Sequence, residues 1–300
     1  MILDIEFYKE QLSAKEDMLA RTTKYLTDIR FDLQEKNKEL HEAHNDILGS
    51  IRFAELIQRS LLPDISILKI FFQDAAYEVK QQIGIGGDAV FIKNTSQGIA
   101  FGLTDSTGHG VPAALLSISG SLMLNELTTS IEIESPNVLV KLLSYQLHNT
   151  FNSNQHSIAH MEGTVCYYST KKRKLSYCSA NGKAILFNKK GELNELTSSK
   201  YSIGENLTNE FENFELDVQP DDKLILFSDG LTDQFGGEKN KKFSRARLKQ
   251  LLLTHCEKSV DEIKQCLREE HLNWKGEHQQ TDEVVQCLKL ISRPGCEKII

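Results

Sequence analysis

A seven-residue hydrophobic repeat runs through residues 1–62. Its apolar positions are Leu12, Leu19, Leu26, Leu33, Leu40, Ile47, Ala54 and Leu61. Helix-breaking residues are rare in this stretch, where Gly49 is the first glycine of the chain and Pro63 is the first proline. A strict spacing of seven places one apolar row along the seam of a coiled coil, so the pattern predicts one long helix that pairs with a second helix.

The second row of the same repeat is half polar. It reads Lys15, Thr22, Ile29, Lys36, Ala43, Ser50 and Ile57. Polar residues in a seam weaken a coiled coil, so we expect a parallel homodimer of moderate stability that a signal can switch. A single amphipathic helix lying on the domain that follows is the alternative interpretation.

Near Ser66 the pattern changes to short apolar runs that end at Gly, Asn or Asp. Strands are predicted at 88–93, 98–104, 164–169, 174–179, 184–188, 211–218, 223–228 and 283–291. Helices are predicted at 111–128, 137–151, 244–254 and 259–272. The strands come in groups with helices between the groups. This order favours an α+β fold with antiparallel sheets covered by helices over a strictly alternating α/β fold.

Several predicted strands end at an aspartate beside glycine. The segments are IGIGGD at 83–88, GIAFGLTDSTGHG at 98–110 and KLILFSDG at 223–230, and Asp282 precedes the last predicted strand. A carboxylate that emerges from a rigid element beside glycine can approach a ligand closely. If Asp88, Asp105, Asp229 and Asp282 converge, they could hold two hard divalent cations, Mg²⁺ or Mn²⁺, and support phosphoester hydrolysis.

Composition narrows the function classes. Lys and Arg number 35 against 42 Asp and Glu, and the formal charge of -7 argues against nucleic acid as the main partner. No apolar run approaches the roughly 18 residues that span a bilayer, and the acidic first ten residues do not resemble a secretory signal. The six cysteines form no CxxC pair, which indicates reduced thiols in a cytoplasm. IGIGGD lacks the Lys-Ser/Thr of a P-loop, so it does not indicate a nucleotide site.

Several segments in a fixed order point to a family. They are SIRFAELIQRSLLP at 50–63, GGD at 86–88, DSTGHGVPAALLS at 105–117, YCSANG at 177–182, SDGLTDQFGG at 228–237, and then WKG and QTDEV near the end. With them the chain resembles the SpoIIE-like branch of the bacterial PPM (2C-type) metal-dependent serine/threonine protein phosphatases, from about residue 50 to 290. The resemblance implies an α-β-β-α sandwich, in which two antiparallel sheets pack face to face with helices outside.

The resemblance also implies roles for individual residues. Asp105 matches the carboxylate that bridges two metals, and the backbone carbonyl of Ser106 completes one of them. Asp88 matches a ligand of one metal, and Asp229 and Asp282 match ligands of the other. The implied nucleophile is a hydroxide between the ions. Three glycines match positions that shape the site: Gly87, Gly108 and Gly110.

Two acidic residues depart from the family pattern, and His109 has two interpretations. Asp282 is followed by Glu283 where the family usually has a second aspartate, and Glu162 stands where many relatives carry aspartate, so it is a candidate near the site or a solvated strand-edge charge. His109 lies between two glycines. It acts as the general acid that protonates the leaving oxygen, or it only helps to form the turn. The structural interpretation is favoured for Asp233 and for the Asp221–Asp222 pair.

The resemblance therefore implies a cytoplasmic enzyme that hydrolyses phosphoserine or phosphothreonine on a protein. In relatives the substrate is often a phosphorylated anti-sigma-factor antagonist, which suggests partner switching, with an upstream sensor protein as a further partner. The expected organisation is a coiled coil at 1–62, a phosphatase domain at 63–292 and a short tail at 293–300. The alternatives are a catalytically silent interaction module and a phosphoesterase for small metabolites.

Overall fold

The computed structural model describes residues 2–130, 133, 135–152, 159–188, 190–216, 219, 221–279 and 283–289. Its α-helices are α1 (Ile2–Ser60), α2 (Ser66–Phe71), α3 (Gly110–Ser130), α4 (Pro136–Leu147), α5 (Asp229–Asp233), α6 (Arg245–Thr254) and α7 (Val260–Lys275), and α4 runs into a π-helical turn at His148–Asn152. Its strands are β1 (Asp74–Lys80), β2 (Asp88–Thr95), β3 (Gly98–Ser106), β4 (Met161–Ser169), β5 (Lys174–Ala180), β6 (Lys183–Phe187), β7 (Leu193–Glu195), β8 (Phe214–Leu216), β9 (Lys223–Phe227), β10 (Phe235–Gly236), β11 (Lys241–Lys242) and β12 (Glu283–Lys289).

The chain divides into two compact units, Met1–Phe53 and Ala54–Ile300. The first unit is formed by helix α1, whose last residues, 54–60, belong to the second unit. The repeat residues of the first unit are exposed, and their exposed fractions lie between 59% and 68%: Leu12, Leu19, Leu26, Leu33, Leu40 and Ile47. The long helix predicted from the repeat is present at Ile2–Ser60, and whether it pairs with a second helix stays a prediction.

Two five-stranded sheets form the frame of the second unit. One sheet has the order β2-β3-β4-β5-β8, and the other has the order β1-β12-β9-β6-β7. All of their strand pairs are antiparallel. A separate two-stranded ribbon joins β10 to β11.

Three layers of buried apolar side chains show how the sheets and helices pack. The first layer lies between the two sheets and joins residues such as Val90 and Phe101 of one sheet to Leu224 and Leu226 of the other. The second layer joins α3 and α4 to the outer face of the first sheet, and the third joins α6 and α7 to the outer face of the second sheet. The order of layers is α-β-β-α, which confirms the predicted fold class.

The predicted strands and helices match the observed ones except at their ends and at short or polar elements. The strand predicted at 211–218 is observed only at Phe214–Leu216, and residues 217, 218, 290 and 291 lie outside the described part, as does the predicted tail at 293–300. The sequence analysis missed β1, which carries Asp74, Glu78 and Lys80 and, among the described strands, pairs with β12 alone at the sheet edge. An edge strand needs fewer apolar residues, so its pattern is weak.

None of the described helices is both long enough and apolar enough to cross a membrane.

Candidate metal centre

A row of three carboxylates crosses the first sheet. Asp88 opens β2 and is paired in register with Asp105 near the end of β3, and Asp105 is paired in turn with Glu162 of β4. Directly opposed residues of antiparallel strands point to the same face. Side chains alternate along β2, so Asp88 shares the face of Val90, which belongs to the apolar layer between the sheets. The row therefore continues this core face to the edge of the sandwich.

Asp88 is held by contacts on both its side chain and its backbone. Its side chain is only 2% exposed, and its Oδ2 accepts a hydrogen bond of 2.5 Å from the Ser228 hydroxyl. Ser228 follows β9 of the second sheet, so this bond joins the two sheets at the site. The Gln81 amide donates to the backbone carbonyl of Asp88 at 2.8 Å.

The environment of Asp105 disfavours its negative charge. Burial raises the pKa of Asp105 well above its usual range, and the charges of Asp88 and Asp229 raise it further, as does a hydrogen bond with Asp88. The ammonium of Lys183 acts in the opposite direction. Carboxylates crowded in this way repel one another unless a proton or a cation lies between them. The donor set is made of oxygen atoms, which fits a hard divalent cation.

Strands β2 and β3 approach each other closely at Gly87 and Ser106. The Ser106 N–H donates to the Gly87 carbonyl at 3.1 Å, and a Cβ atom on Gly87 would lie only 2.6 Å from the Ser106 carbonyl oxygen. Glycine is therefore required for this backbone contact. In the part of the chain that the structure describes, the buried hydroxyl of Ser106 has no hydrogen-bond partner.

The second sheet contributes Asp229 and Lys183 to the same region. Asp229 begins the short helix α5 directly after β9, and its side chain is half exposed. Lys183 begins β6, and its Nζ lies 3.5 Å from Asp229 Oδ2 and 3.7 Å from Glu162 Oε2. The other Glu162 oxygen, Oε1, accepts a hydrogen bond from the side-chain amide of Asn181.

The last turns of α1, within the second unit, contact the loop that precedes Asp88. The Gln58 amide donates to the Gly86 carbonyl at 2.7 Å, and its oxygen accepts from the Gly86 N–H at 3.3 Å. The same amide lies 3.4 Å from the Ser117 hydroxyl of α3. These contacts fix the backbone one residue before Gly87.

His109 takes no part in the described hydrogen bonds and ion pairs of the carboxylates. Its side chain is exposed in the turn between β3 and α3, where Gly108 and Gly110 have φ angles of +92° and +68°. The imidazole makes no hydrogen bond with any described residue. The two glycines therefore shape this turn, and the general-acid role of His109 stays a prediction.

The structure brings together Asp88 and Asp105, with Asp229 near them, but it does not test the whole predicted ligand set. Among the described residues, no group of three or more Asp, Glu, His or Cys side chains is placed to hold a metal ion. Asp282 lies outside the described residues. The backbone of β12 begins at Glu283, next to the end of β1, and Val285 is paired with Phe227 at the end of β9.

Several residues of this region were not predicted as site residues. They are Gln81, Asn181, Lys183 and Ser228. Ser228 and Asn181 lie inside the SDGLTDQFGG and YCSANG segments, so their presence near the site could have been read from those motifs. Lys183 follows Asn-Gly at the start of a strand, which is an ordinary turn pattern, so its sequence context carried no signal.

Comparisons with known proteins give the family and the fold of the chain. The family model for stage II sporulation protein E (SpoIIE) matches residues 95–290, which is more than half of the chain. A search of curated proteins finds no match.

Three solved structures illustrate the similarity of fold. The SiaA-PP2C domain of Pseudomonas aeruginosa has a TM-score of 0.75 at 22% identity, covering 83% of this chain and 99% of that one. The PPM Ser-Thr phosphatase MsPP from Mycobacterium smegmatis, in complex with cacodylate, has a TM-score of 0.54 at 12% identity, covering 74% and 100%. RsbX in complex with magnesium has a TM-score of 0.51 at 17% identity, covering 72% and 94%. These structures share the two-sheet sandwich fold of this chain, and the family match over residues 95–290 shows that the chain belongs to the SpoIIE family.

Proposed function

We propose that this chain is a divalent-metal-dependent phosphatase that removes phosphate from serine or threonine of a protein substrate. The observation that carries the proposal is the carboxylate row, because Asp88 and Asp105 face each other at the buried edge where the two sheets meet. Such a concentration of buried negative charge is unfavourable without cations. Family membership supports the same chemistry.

The proposed ligands are Asp88, Asp105, the backbone carbonyl of Ser106, Asp229 and Asp282. Two divalent cations, Mg²⁺ or Mn²⁺, would supply an acidified water molecule and neutralise charge on the phosphoryl group. The similarity to RsbX, which was solved with magnesium, supports a divalent cation.

The protein's own residues would prepare this site before substrate arrives. The Ser228 hydroxyl donates a hydrogen bond to one oxygen of Asp88 and holds this side chain in the site. The contact between Gly87 and Ser106 places a backbone carbonyl beside the carboxylates. This mechanism requires neither a Cys nor a Ser nucleophile and implies no covalent phosphoenzyme.

We further propose a cytoplasmic protein that acts in bacterial partner switching. An anti-sigma-factor antagonist carrying phosphoserine or phosphothreonine is the proposed substrate, and a separate sensor protein is the proposed source of the signal. Free thiols support the proposal of a reducing compartment, and they are present at Cys166, Cys178, Cys256 and Cys266.

Metal-dependent phosphate release from a folded phosphoserine protein tests the proposed function. We expect turnover by the full chain with Mn²⁺ or Mg²⁺ and none after EDTA treatment. A protein phosphatase should turn over the phosphoprotein efficiently and free phosphoserine poorly, whereas efficient turnover of small phosphoesters alone would favour the small-molecule phosphoesterase. No turnover of any substrate, together with no metal binding by calorimetry, would favour the silent interaction module.

The exposed heptad row predicts that the full chain forms a homodimer through residues 1–53. Leu26 and Leu33 are each 59% exposed within this unit, and a second copy of the helix would cover them. Sedimentation at micromolar concentration should show a dimer for the full chain and a monomer after deletion of residues 1–48. The Leu26→Glu/Leu33→Glu variant should also be monomeric.

Phe31 provides the matched control for the dimer prediction. It is 67% exposed but lies outside both rows of the repeat, so Phe31→Glu should remain dimeric. A full chain that sediments as a monomer, with no change on deletion of residues 1–48, would contradict the prediction.

A further inference from the structure

We propose that Lys183 binds the phosphoryl group of the substrate and that Glu162 and Asn181 position it for this role. The inference rests on the proposed function and adds a residue that the metal-ligand pattern does not contain. Lys183 stands at the first position of β6 in the second sheet, facing carboxylates from both sheets. Its side chain is 14% exposed, so it is not a solvated surface lysine.

The backbone before Lys183 is built into the sandwich. Asn181 has a φ angle of +52°, and its N–H donates to the Ser199 carbonyl at 2.7 Å. A Cβ atom on Gly182 would collide with the Gly163 carbonyl group and the Thr164 hydroxyl, so this turn lies directly against β4. Lys183 therefore starts from a fixed backbone position rather than from a loose loop.

Glu162 has both of its oxygens engaged in this arrangement. Oε1 accepts the Asn181 amide hydrogen bond, and Oε2 lies 3.7 Å from the Lys183 ammonium. The length of the glutamate side chain lets one oxygen reach each partner. This geometry favours a role in holding Lys183 over a role as a metal ligand.

The Lys183 ammonium has N–H donors that can bind a ligand. Its two ion-pair distances, 3.5 and 3.7 Å, are longer than the roughly 2.7–3.2 Å of a hydrogen bond, and no described residue accepts a hydrogen bond from it. The Lys183 side chain is 14% exposed, and water molecules can satisfy these donors until a ligand acceptor replaces them. A phosphate oxygen would satisfy these donors, and lysine is a common phosphate-binding point charge.

Charge balance supports the same assignment. A phosphate monoester brings a negative charge of nearly two into a site that already contains four carboxylates, Asp88, Asp105, Asp229 and Glu162. Lys183 is a cation that the chain itself places between two of them. Electrostatic attraction to phosphate in a partly buried site exceeds that in water.

The test compares Lys183→Met and Lys183→Arg with wild type in the full chain. The measurements are calorimetric binding of inorganic phosphate with Mg²⁺ or Mn²⁺ present, binding of the metal alone, and KM and kcat on a phosphoserine protein. We expect Lys183→Met to weaken phosphate binding and to raise KM by about 10- to 100-fold, which corresponds to a lost hydrogen bond to a charged group. Lys183→Arg should retain part of the binding.

Metal binding separates this role from a structural one. Lys183→Met removes a cation that competes for Asp229, so metal affinity should stay equal or rise. Lys242→Met is the matched control. Lys242 forms an ion pair of 2.8 Å with Asp233, which belongs to the same helix α5 as Asp229 but lies outside the site. This variant should change neither phosphate binding nor KM. The proposal is overturned if Lys183→Met leaves phosphate binding unchanged, or if metal affinity falls in parallel with it.

A double-mutant comparison tests the positioning role of Glu162. Glu162→Gln keeps an acceptor for Asn181 but removes the charge beside Lys183, so it should weaken phosphate binding less than Lys183→Met does. Adding Glu162→Gln to Lys183→Met should cause no further loss, whereas additive losses would mean that Glu162 acts independently. If the wild-type protein binds phosphate through Lys183 but does not turn over phosphoprotein, only the proposed function is refuted. If the wild-type protein binds no phosphate, the assignment of Lys183 is refuted.

Discussion

Replacing Asp105 with asparagine should lower metal-dependent phosphate release by more than ~100-fold, since even residues that only support metal ligands contribute about 10- to 100-fold. Asp105 lies in the centre of the carboxylate row, paired with Asp88 on one side and Glu162 on the other. Asparagine keeps the shape but removes the charge that two cations would share. Phosphate release with saturating Mn²⁺ and metal binding by calorimetry should both show the loss.

The folded state should survive this substitution. The pKa of Asp105 is raised because burial and neighbouring carboxylates disfavour its charge, so the metal-free protein already favours a neutral side chain at this position. The metal-free variant should therefore melt no lower than wild type. Asp233→Asn is the matched control, since Asp233 lies in α5 and pairs with Lys242 outside the carboxylate row. Equal activity of Asp105→Asn and wild type would rule out the two-metal site.

The second large effect is expected at Gly87, which has no functional group. A Cβ atom there would lie 2.6 Å from the Ser106 carbonyl oxygen and 3.3 Å from the Ser106 nitrogen. These are backbone atoms, so Gly87→Ala must push β2 and β3 apart where Asp88 and Asp105 face each other. We expect a loss of metal affinity and activity of at least ~10-fold, with a loss of unfolding free energy of about 1–3 kcal/mol, as in overpacked cores.

Gly49→Ala separates this clash from a general effect of removing glycine. A Cβ atom on Gly49, in the helix of the first unit, meets nothing within 4 Å. This control should keep full activity and gain about 1 kcal/mol of helix stability. Calorimetric metal titration and thermal melts of both variants would check the prediction. Normal metal binding by Gly87→Ala would mean that the backbone contact does not position the ligands.

Much of the fold was predictable because its core strands and helices have local sequence patterns that are typical of them. The runs that became β2, β3 and β9 are rich in apolar residues since both of their faces are covered, and the helix that became α7 begins with the capping box Ser259–Glu262. Strand β1 was missed because its partner β12 lies some two hundred residues later in the sequence. An edge strand depends on that pairing rather than on its own hydrophobicity.

The candidate site was predictable only where its residues belong to a motif. Asp88 and Asp105 stand beside glycines at strand ends, and the structure does bring them together. Ser228 could have been read from its motif, but Lys183 reaches the same place through the packing of the second sheet onto the first, which no sequence interval reveals. Contacts between sheets are set by strand register and sheet order, and these depend on the whole chain.

The hairpin of β2 and β3 has a consequence for insertions and deletions. Its arms are joined by the two-residue turn Ser96–Gln97. The arm from Thr95 back to Asp88 has the same number of residues as the arm from Gly98 to Asp105, so the two aspartates are paired. Adding one residue to a single arm would turn its aspartate to the opposite face of the sheet. Length changes in one arm should therefore be selected against in active members, while a longer turn beyond Thr95 and Gly98 leaves the pairing of Asp88 with Asp105 unchanged.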